Sequence, residues 1–166
     1  SYNAIGLVYH NKDEYDQALE YYQKALDIRL KQLGPNHLSV ARIYYALGET
    51  YNDYGGKEGH SRALAYFDNA LSILSEQSNP NDLEMAYIYR SIGEAHKPMA
   101  NYGQALENFQ KALDIQLKHL EPNHPVVAIS YQRIGEVYQA QEEHDHALEN
   151  FQKALDIQLK HLEPNH

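Results

Sequence analysis

Residues 105–124 read ALENFQKALDIQLKHLEPNH, and residues 147–166 read the same, letter for letter, 42 positions later. A close copy, ALEYYQKALDIRLKQLGPNH, runs from Ala18 to His37, and a more diverged one, ALAYFDNALSILSEQSNPND, from Ala63 to Asp82. A second recurring piece lies between them: AIGLVY from Ala4, ALGETY from Ala46, SIGEAH from Ser91 and RIGEVY from Arg133. Self-similarity at a fixed period decides the fold before any local propensity does. Four units follow, marked by Gly6, Gly48, Gly93 and Gly135 in the first piece and by Ala18, Ala63, Ala105 and Ala147 in the second. Gly to Ala is 12 residues in three units and 15 in the second unit, where residues 55–60 (GGKEGH) carry an insertion. The unit boundaries fall at 1–37, 38–82, 83–124 and 125–166.

Each unit reads as two helices. Leu106, Phe109, Leu113, Leu117 and Leu120 are spaced by three and four, which makes one apolar helical stripe. Ala, Leu, Gln, Lys and Glu, all good helix formers, dominate the same stretch. The second helix stops before Gly34-Pro35-Asn36, Ser78-Asn79-Pro80, Glu121-Pro122-Asn123 or Glu163-Pro164-Asn165, because proline cannot continue a helix. The next helix begins at His37, Asp82 or His124, with Asp82 suited to an N-cap and Pro125 to the first helical position. No alternating strand pattern competes. The fold class is therefore all-α, an array of antiparallel helix pairs with about eight helices. Gly48 with Ala63, and the matching pairs Gly6/Ala18, Gly93/Ala105 and Gly135/Ala147, are expected where the paired helices approach most closely. Aromatics fill the space beside them: Tyr44, Tyr89 and Tyr131 before the glycine, Tyr9, Tyr51 and Tyr138 after it, and Tyr22, Phe67, Phe109 and Phe151 on the second helix.

Composition narrows the function. The chain has 166 residues, 14 Lys plus Arg against 23 Asp plus Glu, and a formal net charge of −9. Such a balance repels phosphate, so nucleic acid and anionic membranes are poor partners. No apolar run approaches a membrane span, so no membrane partner is expected. Cysteine is absent, which excludes disulfides, thiolate metal sites and a cysteine nucleophile, and suits a reducing, cytoplasmic setting.

An aromatic residue, then Leu-Gly or Ile-Gly, then Tyr three residues on, then Ala-x-x-x-Tyr/Phe-x-x-Ala, resembles the tetratricopeptide repeat. The fourth unit carries it as Tyr131, Ile134-Gly135, Tyr138, Ala147, Phe151 and Ala154. The 42-residue period and the G-P-N-H type of linker are similar to the repeats of kinesin light chains. The resemblance implies an α-solenoid, a right-handed superhelix of helix pairs in which the first helix of each unit lines a concave groove. The motif says almost nothing of function by itself; with such a groove the chain reads as a protein-interaction scaffold, and no enzyme is expected because no catalytic constellation accompanies it.

Counted from each unit's glycine, positions −6, −3, +1 and +4 share one helical face. They give Asn3, Leu7 and His10 in the first unit and Arg42, Tyr45, Glu49 and Asn52 in the second. The third adds Tyr87, Arg90, Glu94 and Lys97, and the fourth Ile129, Gln132, Glu136 and Gln139 beside Arg133. A peptide-binding groove on this face would hold Glu49, Glu94 and Glu136 as an acidic column, Arg42, Arg90 and Arg133 as flanking cations, and Tyr45 and Tyr87 as exposed aromatic anchors. The plainer reading is that Arg90 pairs with Glu94 and Arg133 with Glu136 at helical spacing, and that Tyr45 and Tyr87 pack on neighbouring helices. Family grooves that grip a terminal carboxylate use Lys, Arg and Asn here, and kinesin light chain grooves carry Asn pairs. This chain instead has Tyr45-Ala46, Arg90-Ser91 and Gln132-Arg133. A basic or mixed-charge protein or peptide partner fits better.

No catalytic or cofactor constellation stands out. His37, His124 and His166 recur in the linkers as caps or turn residues, and His119 and His161 in the last turn of the second helix, where the helix dipole favours a cation. His144 and His146, two apart, point to different sides of a helix and make a poor metal pair. Gly55-Gly56-Lys57-Glu58-Gly59 has no preceding strand and no Ser or Thr after Lys57, so it is not a phosphate loop and reads as a loose tip. Ser1-Tyr2-Asn3-Ala4-Ile5-Gly6 opens as the middle of a helix, and the last helix is followed by no polar cap. The terminal stripe of Leu148, Phe151, Leu155, Ile157 and Leu159 is therefore expected to stay partly uncovered, with end-to-end self-association as its consequence. The alternative to a groove is then a structural spacer within a longer, self-associating repeat array.

Overall fold

The computed structural model describes residues 1–162, which form eight α-helices and no strand. The linker residues Glu163, Pro164, Asn165 and His166 lie outside the described residues. Two compact units divide the chain, the first ending at Asn81 and the second beginning at Asp82. The first holds α1 (Tyr2–His10), α2 (Tyr15–Leu33), α3 (Leu38–Tyr54) and α4 (Gly56–Ser75). The second holds α5 (Asp82–His96), α6 (Tyr102–His119), α7 (Pro125–Ala140) and α8 (His144–Leu162). Within each unit every helix packs on the next in the chain.

Local chemistry sets the helix starts. The ring nitrogens of His37 and His124 accept from the backbone N–H groups of Ser39 and Val126 at 3.1 and 3.2 Å, so both histidines cap a helix. Pro125 follows His124 at the first helical position, where its missing N–H has no role to fill. Asp82 departs from expectation. It is the first residue of α5 rather than a cap before it, and its carboxylate lies 2.7 Å from His119 Nε2 at the end of α6.

Three of the four turns inside helix pairs share one geometry. The N–H groups of Glu14, Asn101 and Glu143 reach back five residues to the carbonyls of Tyr9, His96 and Tyr138 at 3.0, 3.1 and 2.9 Å. The preceding residues, Asp13, Ala100 and Glu142, are left-handed at φ 59°, 56° and 63°. This is the Schellman closure, which usually places glycine there. The second pair is closed differently. Gly55 alone separates α3 from α4, at φ 82°, and residues 56–60 extend the start of α4 instead of forming a loose tip. A Cβ at Gly59 would stand 2.7 Å from the Tyr51 carbonyl oxygen, so only glycine lets the extended helix pass α3 at that point.

The glycine of each repeat faces an aromatic ring, not the alanine of the partner helix as expected. A Cβ at Gly6 would meet the Tyr22 ring at 2.8 Å, at Gly48 the Phe67 ring at 2.5 Å, and at Gly93 and Gly135 the Phe109 and Phe151 rings at 2.7 Å. Ala18, Ala63 and Ala105 sit one turn earlier and are fully buried. The rings of Phe67 and Phe109 are also fully buried, and burying one such side chain contributes about 1.5–3 kcal/mol. The tyrosines flanking each glycine are only half-buried and form a layer around this contact.

Candidate functional site

In the first unit, α1 and α3 bring Asn3, Leu7, His10, Arg42, Tyr45 and Glu49 around one hollow of about 320 Å³. Helical spacing placed all six on a common face. Asn11, Ala46 and the buried ring of Tyr22 complete the walls, and the face count missed them because they lie on other faces or on α2. His10 is held in place, with Nδ1 2.9 Å from Thr50 Oγ1 and Nε2 3.2 Å from Asp53 Oδ2. The Thr50 hydroxyl lies 2.7 Å from the Ala46 carbonyl, to which it donates. Tyr45 is not the exposed anchor that was expected. It is half-buried, with its ring centroid 5.8 Å from that of Phe67, and turns only part of its surface to the hollow. Asn52 does not line the hollow; its side chain lies 3.0 Å from His60 Nδ1 on α4.

In the second unit the corresponding face is braced. Lys97 Nζ lies 2.7 Å from Glu136 Oε2 and 3.5 Å from Glu94 Oε2. Arg133 Nε lies 2.7 Å from Glu94 Oε1, and its Nη1 lies 3.1 Å from Glu136 Oε2. Two carboxylates and two cations thus neutralise one another across α5 and α7. The Arg133 Nε–Glu94 Oε1 contact is charge against charge, since neither buried atom has a well-aligned hydrogen bond. Burial pushes the Glu136 carboxyl up, but hydrogen bonds from Lys97 and Arg133 outweigh it and hold the group below the usual carboxylate range. Arg133 is disfavoured by burial and favoured more strongly by Glu94 and Glu136, so its pKa is raised.

The pairing of Arg133 with Glu136 was legible from the three-residue spacing. The pairing of Arg90 with Glu94 is not what forms. Arg90 lies over the exposed ring of Tyr87, 5.3 Å from its centroid, and Glu94 turns to Lys97 and Arg133. The Lys97–Glu136 bond joins residues 39 apart, so no local spacing could reveal it. Gln132 makes a long 3.3 Å contact to Glu136, while Gln139 and Ile129 face solvent.

Several histidines have structural partners. His37 and His124 cap helices, and His119 pairs with Asp82. His146 lies 2.8 Å from Glu143, with its ring 5.0 Å from that of Tyr138. Among the described residues no three His, Asp or Glu side chains are grouped to hold a metal ion, and no helix is long and apolar enough to cross a membrane. A second hollow, of about 440 Å³, lies at the α3–α4 corner between Asp16, Tyr54, Lys57 and Arg62. Face counting missed it because the insertion builds it.

Comparison with known proteins agrees with the helix pattern. No curated protein matches the sequence. Among solved structures the chain is similar to BtubC (BKLC) from P. vanneervenii, with 20% identity over 99% of this chain and 65% of that one and a TM-score of 0.85. It is similar to the nearly identical TPR-like repeats of a candidate kinesin light chain from Podosopora anserina, with 20% identity over 100% of this chain and 77% of that one and a TM-score of 0.82. It is also similar to aspartyl phosphate phosphatase F from Bacillus subtilis, with 17% identity over 94% of this chain and 39% of that one and a TM-score of 0.81. Likeness at such identity is a likeness of fold. The chain spans 65% of BtubC and 39% of the phosphatase, so their activities do not transfer with it. The model of a family of interaction modules, generally without catalysis of their own, matches residues 1–58, 54–118 and 84–160, and with the ring-on-glycine helix pairs it makes this chain a member of the tetratricopeptide repeat family.

Proposed function

We propose that the chain is a protein-interaction scaffold that takes a peptide or partner segment on the face carrying Asn3, Leu7, His10, Arg42, Tyr45 and Glu49. The observation that carries this reading is the 320 Å³ hollow, which gathers these six side chains on rigid helices with apolar and polar atoms side by side. Leu7, Tyr22 and Tyr45 supply surface that a side chain can desolvate, while Asn3, His10 and Arg42 supply direction. In the second unit Glu94 and Glu136 already have their cations, so Tyr87 and Arg90 carry recognition there. With a net charge of −9 the scaffold favours a basic or mixed-charge segment over nucleic acid or an anionic membrane. The absence of cysteine suits work in the cytoplasm.

A peptide array graded from basic to acidic, followed by anisotropy titration of the hits, tests this. Tyr45→Ala and Arg42→Ala should each weaken a groove ligand about tenfold or more while helix content is kept, which is a loss of about 1.4 kcal/mol or more. Glu94→Gln should change affinity little. A second reading, a structural spacer, draws on the self-neutralised charges of the second unit. Hits whose affinity ignores both Tyr45 and Arg42, or no hits at all, would favour it.

A further inference from the structure

Three of the four glycine notches hold a phenylalanine ring, Phe67, Phe109 or Phe151, and the fourth, at Gly6, holds Tyr22. Packing does not ask for the difference. The Cδ1 and Cε1 atoms of the ring make the closest approach in all four notches, so a hydroxyl is not what fills the one at Gly6. Tyr22 is only 2% exposed, yet its hydroxyl makes no hydrogen bond among the described residues. Burial, with no hydrogen bond beside it, pushes the phenol's pKa up. A polar group this deep calls for a partner, and the fold supplies none. The hydroxyl is not sealed in. The fully enclosed, unbonded side-chain atoms among the described residues are Glu94 Oε1 and Arg133 Nε. The Tyr22 hydroxyl therefore keeps a sliver of open surface, and Tyr22 lines the 320 Å³ hollow of the first unit.

The rest of the wall says what kind of group that partner is. Both ring nitrogens of His10 are already engaged, by Thr50 and Asp53. Arg42 and Glu49 are one cation and one anion, so the wall holds no excess charge to offset the desolvation of an ion brought down to Tyr22. The side-chain amides of Asn3 and Asn11 line the same hollow and make no hydrogen bond among the described residues. Uncharged donors and acceptors are what remain, with the apolar surface of Leu7 and Tyr45 beside them.

We propose that Tyr22 is a specificity-determining residue of the hollow and that it selects a carboxamide: a glutamine side chain of the partner segment, its methylenes against Leu7 and Tyr45 and its amide on the Tyr22 hydroxyl. This rests on the reading of the hollow as the binding site and adds what enters it. A carboxamide carries a donor and an acceptor at once, so it satisfies the phenol in either role and an asparagine amide of the wall with its other atom. A carboxylate or an ammonium would give up its hydration for one neutral hydroxyl, and a methionine of similar length would leave that hydroxyl unpaired. The basic character of the segment then belongs to its flanks.

An array of short peptides with varied flanks and Gln, Met, Glu or Lys at the centre tests it, followed by anisotropy titration against the parent chain and Tyr22→Phe. The tightest glutamine sequence is remade with each of the other central residues. With the parent, the Gln peptide should bind about tenfold tighter than the Met peptide, and Glu and Lys should do no better than Met. With Tyr22→Phe, affinity for the Gln peptide should fall about tenfold while that for the Met peptide holds, so the preference vanishes. The melting temperature of Tyr22→Phe should equal or exceed the parent's, because the hydroxyl has no partner within the fold to lose. A preference for Gln that survives in Tyr22→Phe overturns the assignment. So does a parent that prefers Met, Glu or Lys, or a variant that melts lower. Binding that Tyr45→Ala weakens and Tyr22→Phe leaves alone overturns it while the hollow stands as the binding site, whereas no binding by any peptide removes both.

Discussion

Three positions after the marker alanine, the first unit carries Tyr21 and Tyr66 and the second Asn108 and Asn150. In the first unit each of these tyrosines joins a ladder. Tyr21 lies 6.1 Å from Tyr2 and stacks on Tyr9 at 5.3 Å, and Tyr66 lies 6.0 Å from Tyr44 and stacks on Tyr51 at 5.5 Å. In the second unit the asparagines turn back to their own helix, bonding the carbonyls of Gln104 and His146 at 2.9 and 2.8 Å. Lys111 and Lys153 lie over Tyr89 and Tyr131 at 5.6 Å, and four charges brace α5 against α7. Beneath both finishes lies the same contact of glycine and ring. The difference teaches that this contact makes the helix pair, while the outer layer can be aromatic or ionic. On the corresponding helix face the aromatic unit has a hollow, and the ionic unit has salt bridges joining Lys97, Glu94, Glu136 and Arg133.

The largest effects should fall on what the units share. Phe67→Ala and Phe109→Ala each remove a fully buried ring and should cost about 3–5 kcal/mol in denaturant titration. Near-equal losses would confirm the common core, and a large inequality would break it. Gly93→Leu forces a side chain into the Phe109 ring and should cost about 1–3 kcal/mol despite better helix propensity. A variant that melts like its parent would mean the ring can move aside. Next comes exchange of the outer layers. Tyr66→Asn should lose about 0.5–1.5 kcal/mol for the ring pair plus its buried area, while Asn108→Tyr in the second unit should gain part of that through Tyr89. Thermal melts of both variants decide whether the layers are interchangeable.

Acid should act on the ionic unit through Glu136. Its folded pKa is lowered, so its contribution is fully present above the ordinary glutamate value of about 4.3 and is lost as pH falls through the folded value. Glu136→Gln should flatten that part of the pH–stability curve, with an effect at neutral pH below about 1 kcal/mol. An unchanged acid limb would show that the brace contributes nothing. The smallest effect is a gain. Ala100→Gly and Glu142→Gly relieve left-handed residues and should stabilise by about 0.5–1 kcal/mol, while Asp13→Gly in the first unit gains less because Asp tolerates that conformation. Equal gains at all three turns would erase this contrast between the units.

The helix pairs, their linkers and the buried aromatics could all be read from residues 105–124 and their copies, because helical period and proline stops are local and each copy repeats the test. The hollow was legible in outline too, since residues at −3, +1 and +4 from one glycine must share a helix face. The rest depended on distance in space. The ring that fills the glycine notch stands on the other helix of the pair, 16 to 19 residues from it in the chain, and only packing shows that it, not the alanine, makes the closest approach. Glu94 turns to Lys97, three residues on, and to Arg133 rather than to Arg90, four residues back, because α7 brings Arg133 within 2.7 Å, and a long side chain follows the charge it can reach. Leu113 and Leu155 stand in identical sequence and differ in burial because α7 covers one of them. Periodicity thus decided which residues are helical and which face inward, while the assembly of helices decided what each inward face meets, because burial belongs to the neighbour as much as to the residue.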